Sequence, residues 1–175
     1  MALVVEDGTG IAGANSYVSA ADCADYAATH GLTFTANAAG DAALVRGTDW
    51  LDATYISRWP GARAHGRNQG LQWPRAGATD IEGYPIGSSE IPMEVIDACC
   101  EAACREFKAA GSLAPDVTPN AIIQSASVEG AVSVTYATGK GVAGAGTVSL
   151  TIDGILAPLI GIRPSASVFS ASARA

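Results

Sequence analysis

The chain is short of positive charge. Its 175 residues hold ten Lys and Arg against seventeen Asp and Glu, a formal net charge of −7 at pH 7. Such a surface repels a nucleic-acid backbone over most of its area, which argues against a tight, general DNA-coating role. Histidine is scarcer still, with only His30 and His65. The four cysteines are Cys23, Cys99, Cys100 and Cys104. Their Cys100-x3-Cys104 spacing misses the usual zinc knuckle and neither His stands at ligand spacing, so no metal centre is expected. The thiols read as small, reduced core residues. No apolar run approaches a membrane span of about 20 residues. The opening MALVVEDGTG lacks the basic region and long apolar stretch of a secretory signal. Use in a cytoplasm, or in something assembled there, is the expectation, with no membrane partner.

Catalytic patterns are missing as well. There is no G-x-S-x-G elbow, and two His in predicted loops are poor members of a Ser-His-Asp set. The GKG at Gly139–Gly141 fails as a phosphate loop, because Gly141 follows Lys140 where Ser or Thr is needed. Asp49 and Asp52 are paired acids on a predicted helix, with Arg46 as a helical neighbour, and read as a solvated face. The sequence therefore predicts no enzyme, no catalytic residue and no cofactor.

What is present is concentrated in one stretch. From Tyr55 to Ile91 the chain carries two of its three Trp, Trp59 and Trp73, each followed directly by Pro. Four of the ten basic residues, Arg58, Arg63, Arg67 and Arg75, lie between Tyr55 and Thr79 with His65 and no acid. A loop of this length is usually functional or disordered, and paired Trp-Pro steps favour one that packs. Two uses fit. The Trp and Arg side chains could stack and neutralise single-stranded DNA. Alternatively, Trp59 and Trp73 anchor the loop on the helices while the Arg residues meet acids of this chain or a neighbour. The acidic balance of the whole chain favours the second.

The remaining pattern predicts a mainly α fold: a small core of three main helices, a long Trp/Arg loop at 57–91 and a C-terminal β-hairpin arm. Ser19 is the expected N-cap of a helix from Ala20 to His30, with Gly31 beyond its end. Leu44, Thr48, Leu51 and Tyr55 recur at helical spacing within Asp41–Ile56. Pro92 opens a third helix, whose polar stripe runs through Glu94, Asp97, Glu101, Arg105 and Lys108 and which Gly111 ends. The expected core beneath the loop is Trp50, Leu51, Tyr55, Trp59, Trp73, Val95, Ile96, Cys99 and Phe107. Leu3–Val5 reads as a short strand. Ser125–Ala137 and Thr147–Ile152 alternate like strands, with Gly139–Gly146 as a flexible tip between them. Gly154–Gly161 is a short apolar segment that reads as one helical turn interrupted by Pro158. The expected organisation is a helical body at 1–116 and a β-rich arm and tail at 117–175. Ile155, Leu156, Leu159 and Ile160 in that arm are expected to meet a neighbouring molecule.

Several blocks carry a resemblance: NSYVS-x-AD-x-A-x-Y-x3-HG from Asn15, ALVRGTDWLDATY from Ala43, RWPG from Arg58, LQWPRAG from Leu71, and IP-x2-V-x-DAC-x-EAA from Ile91. In this order they resemble a family of tailed-bacteriophage proteins, often labelled DnaT-like single-stranded DNA-binding protein. The resemblance spans about residues 15 to 110, with Q-W-P-R its most specific part. It implies a helical head–tail connector or adaptor located at the head–tail junction of the virion and assembled in the host cytoplasm. It further implies a twelve-fold homo-oligomeric ring between the portal protein and a tail-side stopper or terminator protein. DNA would pass through that ring without being gripped. Arg58, Arg63, Arg67 and Arg75 are then candidate subunit contacts, together with the apolar arm residues, and Trp59 and Trp73 are loop anchors. The alternatives are a single-strand-binding replication accessory using Arg58, Trp59, Arg63, Arg67, Trp73 and Arg75, or another virion structural protein.

Overall fold

The computed structural model describes residues 2–114 and 149–161, together with two strands between them. It is mainly α, with four helices among the described residues. Helix α1 is Ala20–Thr29, α2 Ala38–Tyr55, α3 Met93–Lys108 and α4 Leu150–Ile160. Between α2 and α3 the loop holds a minimal antiparallel pair, β1 (Ala62–Arg63) with β2 (Arg75–Ala76).

Helices α1, α2 and α4 each start on a side chain that replaces a missing backbone partner, Ser19, Asn37 and Ser149, whereas α3 starts at Pro92 without one. The Ser19 hydroxyl accepts from Asp22 N at 3.2 Å and donates to the Asp22 carboxylate at 2.6 Å. Asn37 Oδ1 accepts from Ala39 N and Gly40 N at 2.9 and 3.0 Å, so α2 begins three residues before the expected Asp41. At the far end of α3, the buried Glu106 carboxylate accepts from Gly111 N at 2.8 Å and Leu113 N at 3.1 Å. Arg46 reaches across from α2 to the same carboxylate at 2.9 Å.

Helices α2 and α3 form the centre of the body and cross closely at Gly47. A Cβ there would stand 2.9 Å from the backbone nitrogen of Ala103, so only glycine permits this approach. Thr48 and Cys99 meet across the same interface, Oγ1 to Sγ 3.2 Å. The expected core is present in large part: Leu51, Tyr55, Trp59, Trp73, Val95 and Cys99 are buried, with Trp50 and Ile96 packed at its margin. Phe107 is a correction. It is only half-buried, outside the core cluster, and pairs with Phe34 at 5.2 Å. The expected strand at Leu3–Val5 is reduced to a single bridge between Val5 and Ser16.

The larger correction concerns the arm. Thr147–Ile152 is not a strand, because Leu150 onward is helical. Ile152, Leu156 and Leu159 recur at helical spacing and are all buried in the same core as α2 and α3. Reading Thr147–Ile152 and Gly154–Gly161 as two segments hides that period. Pro158 sits in the last turn, four residues after Gly154, and the helix accommodates it there. The described hairpin also differs from the expected one: β3 (Ser125–Val128) pairs antiparallel with β4 (Val132–Thr135), Val128 opposite Val132. The expected single strand Ser125–Ala137 thus folds back on itself. Gly139–Gly146 lies outside the described residues.

Helix α4 therefore belongs to the helical body, on the far side of the expected boundary at 117. Truncating Leu156 to Ala should lower stability by about 2–5 kcal/mol, the range for a fully buried Leu. Urea unfolding of the full chain followed by circular dichroism measures this. A loss near zero would mean that α4 contributes nothing to the core.

Candidate functional site

The loop at 57–91 is held from within. Trp73 is fully buried and Trp59 nearly so, and the two rings meet edge to face with centroids 5.8 Å apart. Tyr55 stacks obliquely on Trp59 at 5.8 Å, and Trp50 meets Tyr55 edge-on at 6.1 Å. A continuous aromatic row thus runs from the end of α2 into the loop. The Trp73–Pro74 peptide is cis.

The backbone just before this row is fastened by two side chains. The Tyr17 hydroxyl donates to Asp52 Oδ1 at 2.7 Å and accepts from Gln72 N at 3.1 Å and Trp73 N at 3.2 Å. Gln72 N also donates to Asp52 Oδ2 at 2.9 Å. Burial pushes the Asp52 carboxyl up to about 6, although the bonds from Tyr17 and Gln72 favour its charged form. The phenol of Tyr17 is raised well above its ordinary value, by burial first and by the Asp52 charge second. Asp52 is thus a loop clamp, which corrects its reading as part of a solvated face.

The four arginines divide into two groups. Arg75 is 7% exposed and encircled by oxygen: Nε donates to Pro60 O at 2.6 Å, Nη2 to Gly61 O at 2.8 Å and Nη1 to Gln72 O at 3.2 Å. Arg58 pairs with Asp153 of α4 at 3.2 Å and donates to Gly161 O at 2.7 Å, while Tyr55 donates to the same Asp153 at 2.9 Å. Both guanidiniums are therefore internal fasteners. Arg63 is half-exposed and Arg67 exposed, as is His65, and they project from a short lobe around the turn Gly66–Asn68. Buried Gln69 stiffens that lobe, accepting from His65 N at 2.9 Å and donating to Leu71 O at 2.8 Å and Pro74 O at 3.1 Å.

The apolar arm residues are placed differently from expectation. Leu156 and Leu159 are buried within this chain, and Ile155 and Ile160 pack half-buried against the same core. An isolated subunit does bury them, because α4 lies along α3. The described residues hold no group of His, Cys, Asp or Glu suited to a metal ion, and no helix among them is long and apolar enough to cross a membrane.

A family model described as "Putative DnaT-like ssDNA binding protein" matches residues 1–174. The chain belongs to this family. No curated protein and no solved structure matches it.

Seen in this member of the family, the sequence pattern locates the anchors Trp59 and Trp73 but not the residues that fasten them. Tyr17, Asp52, Gln69 and Asp153 carry that role, and none stands out by composition or spacing. A polar residue in the last turn of the helix that leads into the loop, such as Asp52 of α2, is the one signal available.

Two outcomes test this geometry. Trp73→Ala should cost about 3–5 kcal/mol of stability in urea unfolding, as for other buried Trp residues. Asp52 gives a pH signature. Folded, it keeps its proton up to about pH 6; unfolded, only to about pH 4. The folded chain binds the extra proton between these values. The contribution of Asp52 is therefore complete below about pH 4 and is lost as pH rises through about 6, a decline of roughly 2–3 kcal/mol. Asp52→Asn should flatten that part of the stability profile, leaving the titrations of Asp49 and Asp97 in place.

Proposed function

We propose that this chain is a non-enzymatic structural component of a tailed-phage particle. Its place is the head–tail junction, in a ring between the portal and a tail-side stopper or terminator protein, with no cofactor. The reading starts from the sequence blocks at Asn15–Gly31, Ala43–Tyr55 and Leu71–Gly77. One structural observation supports it over its main competitor. Base stacking requires exposed aromatic faces beside free cations. In the loop both indoles are buried, and Arg58 and Arg75 are occupied by internal oxygens. Of the six side chains that a single-strand binder would use, only Arg63 and Arg67 remain available. An acidic wall lacking a stacking platform suits a conduit through which DNA slides.

Single-stranded DNA binding is the second reading, and the description of the family favours it. It would have to rely on Arg63, His65 and Arg67, with affinity that falls steeply with salt.

Fluorescence anisotropy with a labelled oligonucleotide separates the two. The connector reading expects a dissociation constant of about 10⁻⁴ M or weaker at physiological salt, near the non-specific limit. Mass spectrometry of purified particles should find the protein in virions. Sub-micromolar binding, with the protein absent from particles, would overturn the connector reading in favour of the second.

A further inference from the structure

Helices α1 and α3 leave a groove of about 350 Å³ between them. Val18, Tyr26, Ile96 and Met93 give it an apolar floor, and Met93 is 64% exposed. Asp22 and Asp97 stand in its walls. Asp22 accepts from the Ser19 hydroxyl. Burial raises the Asp97 carboxyl, His30 partly offsets this and Glu94 adds to it. The ion pairs among the described residues are Arg46–Glu106, Arg58–Asp153 and Arg105–Glu101, so neither groove carboxylate has a Lys or Arg partner. One face of the Tyr26 ring is covered by the His30 ring, centroids 3.9 Å apart, and the rest of the ring lines the groove beside the two carboxylates, where a guanidinium can stack on the ring and fork onto an acid.

The lobe at 62–68 supplies the complement. Arg63 and Arg67 are likewise absent from every ion pair among the described residues. Their backbone is already fixed by Gln69 and by the His65 ring, which packs so closely on Gly10 that a Cβ there would meet it. A rigid donor loses little freedom on binding. Between two copies of an acidic chain, a basic lobe facing an acidic groove is the orientation that electrostatics favours.

We propose that the lobe of one copy docks in the α1–α3 groove of a second. Arg67 lies against Tyr26 between Asp22 and Asp97, and Arg63 meets the rim. This inference rests on the ring reading above and names the two surfaces that would meet. The contact is head to tail, so each copy offers one lobe and one groove, and repetition closes a ring or extends a filament.

Sedimentation velocity of the full chain at low and high salt tests it, with two double variants whose folding is checked by thermal melting. Wild type should associate with rising concentration, and less so at high salt. The lobe variant Arg63→Glu/Arg67→Glu and the groove variant Asp22→Asn/Asp97→Asn should each weaken association by about tenfold or more. Mixed together, they should form a one-to-one dimer that grows no further, because one sound lobe and one sound groove remain. A wild type that stays monomeric at low salt, a variant that associates like wild type, or a mixture that stays monomeric overturns the proposal. If the protein is still found in virions, that failure leaves the connector reading standing. If instead the lobe variant abolishes sub-micromolar oligonucleotide binding, the lobe serves DNA and both readings fall.

Discussion

The loop depends on one hydroxyl. Tyr17 Oη donates to Asp52 and accepts two consecutive loop amides, those of Gln72 and Trp73. These amides sit beside a fully buried indole, where an unpaired N–H is costly. With Tyr17 and Asp52 in place, Trp73 can enter the core without orphaning its own backbone. Pro74 and Arg75 follow from that position, and Arg75 then gathers the carbonyls of Pro60 and Gly61 from the loop's other limb. The loop is thus closed from its base outward, and the lobe at its end inherits a fixed orientation.

Arginine has two structural meanings in this protein. At Arg58 and Arg75 the fork geometry of the guanidinium collects several oxygens at once, which a lysine could not do. Arg75 bonds almost wholly to carbonyls, so its charge is solvated by the loop backbone rather than cancelled by an acid. At Arg63 and Arg67 the charge faces outward. A basic sequence cluster is therefore a poor measure of a basic surface here, and the nucleic-acid signal of the stretch is weaker in three dimensions than in one.

The three central helices are legible in the sequence because their signals are local: Ser19 and Gly31 bracket α1, and Pro92 and Gly111 bracket α3. The roles of Trp59 and Trp73 are legible because so large an apolar surface in an ordered loop has few places to go. Helix α4 is not, since Gly154 and Pro158 break the pattern just where Ile152, Leu156 and Leu159 would reveal it. Burial against α3 outweighs those weak local preferences. The second half of Ser125–Ala137 is misassigned for a different reason: the alternation continues across both paired strands, so it does not show that Ser125–Val128 and Val132–Thr135 are separate. Asp52 is the least legible of all. A carboxylate on a helix reads alike whether it faces water or a tyrosine 35 positions earlier in the chain, and only the fold tells which.

Because α4 returns to the helical body, residues 115–148 are tethered at both ends. Leu113 is fixed by Glu106 before them, and Ser149 caps a buried helix after them. In chain-statistical terms this stretch is a closed excursion, not a free tail. Closing such a loop costs only a logarithm of its length, about 0.6 kcal/mol for each doubling. The body can therefore tolerate wide variation in the length and composition of 115–148 while its own core stays constant. Evolutionary change can accumulate there without touching the packing of α2, α3 and α4.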